Sequence, residues 1–257
     1  MATITEIARD LDALLRTDEV PDYPNALNGV QVETATPITH VAAAVDARER
    51  TIRDAVAAGA DLLIVHHGLF WGGVQPLRGP MLRRMRALLE GGLALYSSHL
   101  PLDAHSEVGN NVLLAQELGL VPSDGFARHE RIDIGVAGES DVPTALLIER
   151  ASAFARHYGG SVRHTLAQPG RVTRRWAICT GAGASRETID EAAARGIDTL
   201  IVGEGAHWTA IDAEERDITL LYAGHYATET LCVRALAEWV ARAHAIPWTF
   251  IHAPTGL

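Results

Sequence analysis

Polar and apolar residues follow two alternating periods along the chain, and the switches between them mark out elements. The segment from Ile4 to Leu15 has helical spacing and predicts a helix, followed by a proline-bearing loop around "PDYPNALNGVQVE". "ITHVAAAVD" is a short apolar run ending at an acid, as a buried strand does. "RERTIRDAVAAGA" then reads as an amphipathic helix closed by Gly59. "DLLIVHHG" predicts a strand, "PMLRRMRALLEGG" a helix, "LALYSSHLPLDA" a strand and "GNNVLLAQELGL" a helix. Strand and helix in strict alternation predict a parallel sheet with helices on its faces, an α/β fold.

The pattern then starts again. "RIDIGVAGE", "TALLIERASAFARHYGG" and "SVRHTLAQPG" make a strand, a helix and a strand. Beyond them, "TIDEAAARGIDTLIVGEGAHW" (Thr188–Trp208) lies without a gap over "TIRDAVAAGADLLIVHHGLFW" (Thr51–Trp71), and roughly half the positions are identical. Gly59/Gly196, Asp61/Asp198, Gly68/Gly205 and Trp71/Trp208 are among the shared pairs. "LYSSHLPLD" (Leu95–Asp103) lies in turn over "LYAGHYATE" (Leu221–Glu229). Helix–strand units resemble one another in general, but shared turn glycines and a shared terminal tryptophan point to internal duplication. The division this suggests is 1–127 and 128–257, two α/β repeats.

Composition narrows the chemistry. The chain has 257 residues, 47% of them hydrophobic, and a formal charge of −10, which makes nucleic acid and anionic membrane poor partners. All its basic residues are arginine; without lysine there is no Schiff base, no P-loop lysine and no pyridoxal attachment. Cys179 and Cys232 form no local motif, so a reduced, cytoplasmic setting is expected. The N-terminal residues do not read as a signal peptide, and no apolar run reaches membrane-spanning length.

Twelve histidines is about twice the usual number for this length. Most buried histidines are satisfied core residues, and position decides. An adjacent pair, His66–His67, ends an aliphatic strand. Each repeat also carries a histidine followed four residues on by an acid: His99 with Asp103, and His225 with Glu229. Imidazole and carboxylate at this density form a ligand set for Zn, Fe or Mn. Neighbours on a strand diverge, so His66 and His67 reach two ions or rely on a turn at Gly68. His225 and Glu229 fall one helical turn apart on one face if a helix begins near Tyr226. His66, His67, Asp103, His225 and Glu229 are therefore the candidate ligands. His99 is a candidate ligand, a donor to a ligand or a proton shuttle. His207 and Glu204 stand at the strand end matching the histidine pair. His40, His105, His129, His157, His164, His244 and His252 carry no such pattern.

Other signals are weaker. "CTGAGASRET" resembles a phosphate loop opening a helix, but Arg186 stands where the dinucleotide fingerprint needs its third glycine, so a tight turn is expected. The arginines of "PLRGPMLRRMR" read as a solvated helix face. Phe70 and Trp71 could stack on a planar ring, although packing is the default for both.

The motifs "NGVQVE", "IVHHGLFW", "YSSHLPLDAHSEVGNN" and "AGHYATET" resemble those of the NIF3-like family of dinuclear-metal proteins, the GTP cyclohydrolase 1 type 2 homologs. The resemblance spans nearly the whole chain. It implies two similar, intertwined α/β/α domains, a toroidal homohexamer and a pair of divalent ions on His66, His67, Asp103, His225 and Glu229, with His99 close by. The stretch between Arg128 and Arg171 is too short for the inserted domain some members carry.

Two ions roughly 3.5–4 Å apart would turn a shared water into a nucleophile. The leading expectation is hydrolysis of a nucleotide or related small molecule. A metal-binding and delivery protein, or a scaffold acting through partners, are the alternatives.

Overall fold

A computed structural model describes residues 2–165 and 168–256. The chain divides into two compact units. One runs to Leu102 and resumes over Cys232–Ala253; the other is Asp103–Leu231 with a short tail from Pro254. Division by packing thus cuts after Leu102 and Leu231, whereas division by repeat cuts after residue 127.

The first unit opens with helix α1 (Ile4–Leu15), set by a capping box in which Thr3 and Glu6 satisfy each other's backbone N–H. Strand β1 (Gly29–Val32) follows, then β2 (Val41–Asp46), α2 (Glu49–Ala57), β3 (Leu62–His67), α3 (Gly79–Glu90) and β4 (Ala94–Ser97). The sheet order is β1-β4-β3-β2, completed at its far edge by β11 (Trp248–Phe250), which comes from the C-terminal segment. β4, β3, β2 and β11 are parallel, and β1 runs antiparallel to β4. The first five residues of β2 and of β3 are all buried, on both faces, so these strands read as apolar runs.

The second unit takes over within the short helix α4 (Leu100–Asp103) and continues through α5 (Asn110–Glu117), β5 (Asp124–His129), β6 (Ile132–Pro143), α6 (Thr144–His157) and β7 (Arg163–His164). Then come β8 (Val172–Cys179), α7 (Arg186–Ala194), β9 (Thr199–Val202), α8 (His207–Glu215), β10 (Thr219–Tyr222) and α9 (His225–Thr228). Helix α10 (Thr230–His244) leads back into the first unit. The second sheet has the order β5-β6-β8-β9-β10-β7. Among the described residues, the strand expected over 161–170 comprises β7; Leu166 and Ala167 lie outside the described residues.

The two units repeat one plan. In each, three parallel strands linked by helices carry an antiparallel strand beyond the third: β2-β3-β4 with β1, and β8-β9-β10 with β7. The ladders also refine the repeat. Leu62 pairs with Ala94, and its counterpart Thr199 pairs with Thr219. Counting from there, five residues lead to His99 but six to His225. The added residue is Gly224, whose φ of +93° suits glycine alone and whose N–H reaches the Gly203 carbonyl at 2.9 Å. The two His-x-x-x-acid motifs therefore align in sequence but stand one position apart in strand register.

Candidate metal centre

In both units the chemistry gathers where the parallel strands end, the edge at which α/β sheets bind ligands. His66 and His67 close β3, and the chain past β4 delivers His99. Successive strand side chains should diverge, yet the rings of His66 and His67 have centroids only 4.8 Å apart. No turn at Gly68 is needed, since both belong to the strand. His99 stands 4.9 Å from His66 and 5.8 Å from His67. One nitrogen from each of the three imidazoles lies within 4.8 Å of the other two, close enough to share a metal ion.

Their orientation is set by Nδ1. His66 Nδ1 is 3.0 Å from the Ser98 carbonyl, with Cys232 Sγ at 4.0 Å. His67 Nδ1 is 3.0 Å from Asp46 Oδ1, across the β2–β3 ladder. His99 Nδ1 is 2.8 Å from Asp22 Oδ1. A carbonyl or carboxylate accepts only from N–H, so each Nδ1 carries a proton. Trp71 packs edge-on to His99 at 4.6 Å and to His67 at 5.6 Å, an apolar wall beside the rings.

The second unit builds its set at the corresponding edge. His225 opens α9, and Glu229 is that helix's C-cap. His225 Nδ1 meets Glu204 Oε1 at 2.8 Å, and its Nε2 meets Glu229 Oε2 at 3.1 Å. Burial works to depress the His225 pKa, but the hydrogen bonds and charges of Glu229 and Glu204 outweigh it and raise it to about 9. Glu229 is buried against Gly181, where a Cβ would collide with its carboxylate. Asp103 is buried too and accepts from Asn110 Nδ2 at 2.8 Å. Burial, with the nearby charges of Asp103, Glu191 and Glu229, pushes the Cys179 thiol up to about 12, so it is no thiolate donor at neutral pH.

The remaining histidines do other work. His207 is exposed at the start of α8. His105 Nδ1 accepts the N–H groups of Glu107 and Val108, and His40 bonds Thr249 across the sheet. "CTGAGASRET" is a capped turn: Ser185 Oγ accepts the Thr188 N–H at 3.2 Å to start α7. Phe70 is partly buried against the first unit's core. Asp22 and Asp46 were not among the sequence candidates, because single acids distant in sequence from any histidine carry no motif.

Comparison with known proteins finds similarity along nearly the whole chain. The sequence profile of Duf34/NIF3 (NGG1p interacting factor 3) matches residues 2–255. A GTP cyclohydrolase 1 type 2 homolog of Deinococcus radiodurans is 39% identical, with 98% of this chain and 94% of the relative covered. One from Pyrococcus abyssi is 41% identical, with 98% of each covered. The solved structure of the protein ybgI superposes with a TM-score of 0.89 at 34% identity, covering 99% of this chain and all of that one. TTHA1606 from Thermus thermophilus gives 0.85 at 37%, covering 98% and 99%.

Proposed function

This chain belongs to the Duf34/NIF3 family, and from that premise we propose that it is a dinuclear metal protein that hydrolyses a nucleotide or related small molecule. The proposed ligands are His66, His67, Asp103, His225 and Glu229. The reading rests on one observation: His66, His67 and His225 each commit Nδ1 to an oxygen acceptor. Structural histidines have no reason to share this state, whereas metal-binding ones almost always show it. The imidazole and carboxylate donors fit Zn, Fe or Mn alike.

Bound divalent ions would supply Lewis acidity, lowering the pKa of water toward neutrality. The chain's own part is to orient and to move protons. Asp46, Glu204 and the Ser98 carbonyl hold the ligating rings. In this reading His99 would take a proton and return it to a leaving group. Trp71 shields the imidazoles from solvent. A second reading, metal binding and delivery, draws support from the partial exposure of His67, His225 and Glu204, which would let ions exchange.

We further propose a toroidal homohexamer, as the family resemblance implies, in the reducing cytoplasm, as cysteines without a local motif suggest. Val74, Leu77, Leu82 and Leu89 expose apolar surface on the first unit that self-association would cover. No helix among the described residues is long and apolar enough to cross a membrane.

Elemental analysis of gently purified protein, paired with a nucleotide and phosphoester screen, tests the proposal. Two ions per chain and a metal-dependent turnover that His66→Ala and Glu229→Ala abolish are expected. Two ions without any turnover, released quickly to a chelator, would instead establish delivery. Failure of the folded protein to bind Zn, Fe or Mn would end both readings.

A further inference from the structure

Asp22 lies in the loop between α1 and β1, remote in sequence from every histidine, and its side chain is only 6% exposed. Three donors converge on its two oxygens. Oδ1 takes His99 Nδ1–H at 2.8 Å; Oδ2 takes Asn28 Nδ2–H at 2.8 Å and the Leu100 backbone N–H at 2.9 Å. Asn28 closes the loop by accepting the His99 backbone N–H on Oδ1 at 2.8 Å. With every neighbour donating, the position demands a group that only accepts, which means an ionised carboxylate.

We infer that Asp22 is a positioning residue that sets the tautomer of His99, holding the proton on Nδ1 and keeping the Nε2 lone pair turned to the histidine cluster. The relevance of that lone pair to metal or substrate rests on the function proposed above; the tautomer itself does not. The inference gives the loop around "PDYPNALNG" a role in the site. It also pairs Asp22–His99 with Asp46–His67 and Glu204–His225, three carboxylates each fixing one ring through Nδ1.

The decisive contrast is Asp22→Asn. The Leu100 backbone N–H cannot become an acceptor, so the new amide must turn its oxygen that way and its NH2 toward His99 Nδ1. Nδ1 then has to accept, and the proton moves to Nε2. A merely structural role in tying down the loop would leave the imidazole unchanged.

Long-range 1H–15N correlation spectra of metal-free protein read this directly, with the His99 signals assigned by their loss in His99→Gln. In the wild type, Nδ1 should show the protonated shift and Nε2 the unprotonated one; in Asp22→Asn the two should exchange. A wild-type His99 protonated on Nε2 overturns the inference without any variant. So does an Asp22→Asn spectrum that matches wild type. Repeating the measurement with added zinc separates the two proposals: protein that binds no zinc but shows the tautomer exchange loses the metal reading and keeps this one.

Discussion

Gly181 touches Glu229 so closely that even a methyl group would displace the carboxylate, and its φ of +61° already disfavours any other residue. Gly181→Ala should therefore weaken metal binding by at least tenfold while the protein still folds; isothermal titration with zinc, alongside circular dichroism, checks both halves. His225 gives a pH dependence of definite sign. Its pKa is raised from 6.5 to about 9, so the protonated ring stabilises the metal-free protein fully below pH 6.5 and loses that effect as pH rises through about 9. A metal ion must displace that proton, so affinity should climb by up to about tenfold per pH unit as pH rises toward about 9 and flatten above it. Competition with a chelator across that range measures the slope; a flat profile from pH 7 to 9 would argue against His225 as a ligand. At this scale much was legible in the sequence. Adjacent histidines after an aliphatic run, and His-x-x-x-acid spacings, expose themselves because local spacing fixes which side chains share a face. Asp22 and Asp46 stayed hidden because the fold alone brings each to its histidine.

Elements set these side chains by register. Within the second unit, buried hydroxyls of Thr144, Thr173 and Thr199 form a chain that ties α6 to β8 and β9, with contacts of 3.0 and 2.9 Å. Replacing Thr173 by isosteric Val removes the middle link, which takes a partner from Thr144 while Thr199 still donates to Asp198 Oδ1 at 2.8 Å, and should cost about 1–3 kcal/mol in chemical denaturation. Helix α1 and the central strands were readable from periodicity, since long or uniformly apolar segments leave little choice. β1, β5 and β11 were not, because each is short or only partly buried, and pairing decides such strands more than composition does. The strand read across "LALYSSHLPLDA" also stops at Ser97, where the backbone N–H of His99 and Leu100 turn to Asn28 and Asp22. Sequence alignment likewise missed the residue added at Gly224, because matching histidines conceal a ladder offset.

For the whole molecule, ligand binding and stability are linked. Free zinc at a hundred times its dissociation constant should stabilise the folded chain by about 2.7 kcal/mol per site, and a chelator should reverse it. Differential scanning calorimetry with and without EDTA would show the shift, which His66→Ala should diminish. Light scattering coupled to size exclusion reports the assembly: six chains are expected, and Leu77→Glu with Leu89→Glu should lower that number if those side chains are covered. Duplication was visible in the sequence. The return of Cys232–Ala253 to the first unit was not, because no local pattern says which sheet a three-residue strand will join.

That return sets an order on biosynthesis. As the polypeptide leaves the ribosome, nearly everything belonging to the second unit emerges before the first can be finished. Until Trp248–Phe250 arrives beside β2, that strand presents an open edge to any passing chain. A message truncated before Cys232 should thus yield insoluble product, and slow translation of the final codons should prolong the nascent protein's dependence on chaperones.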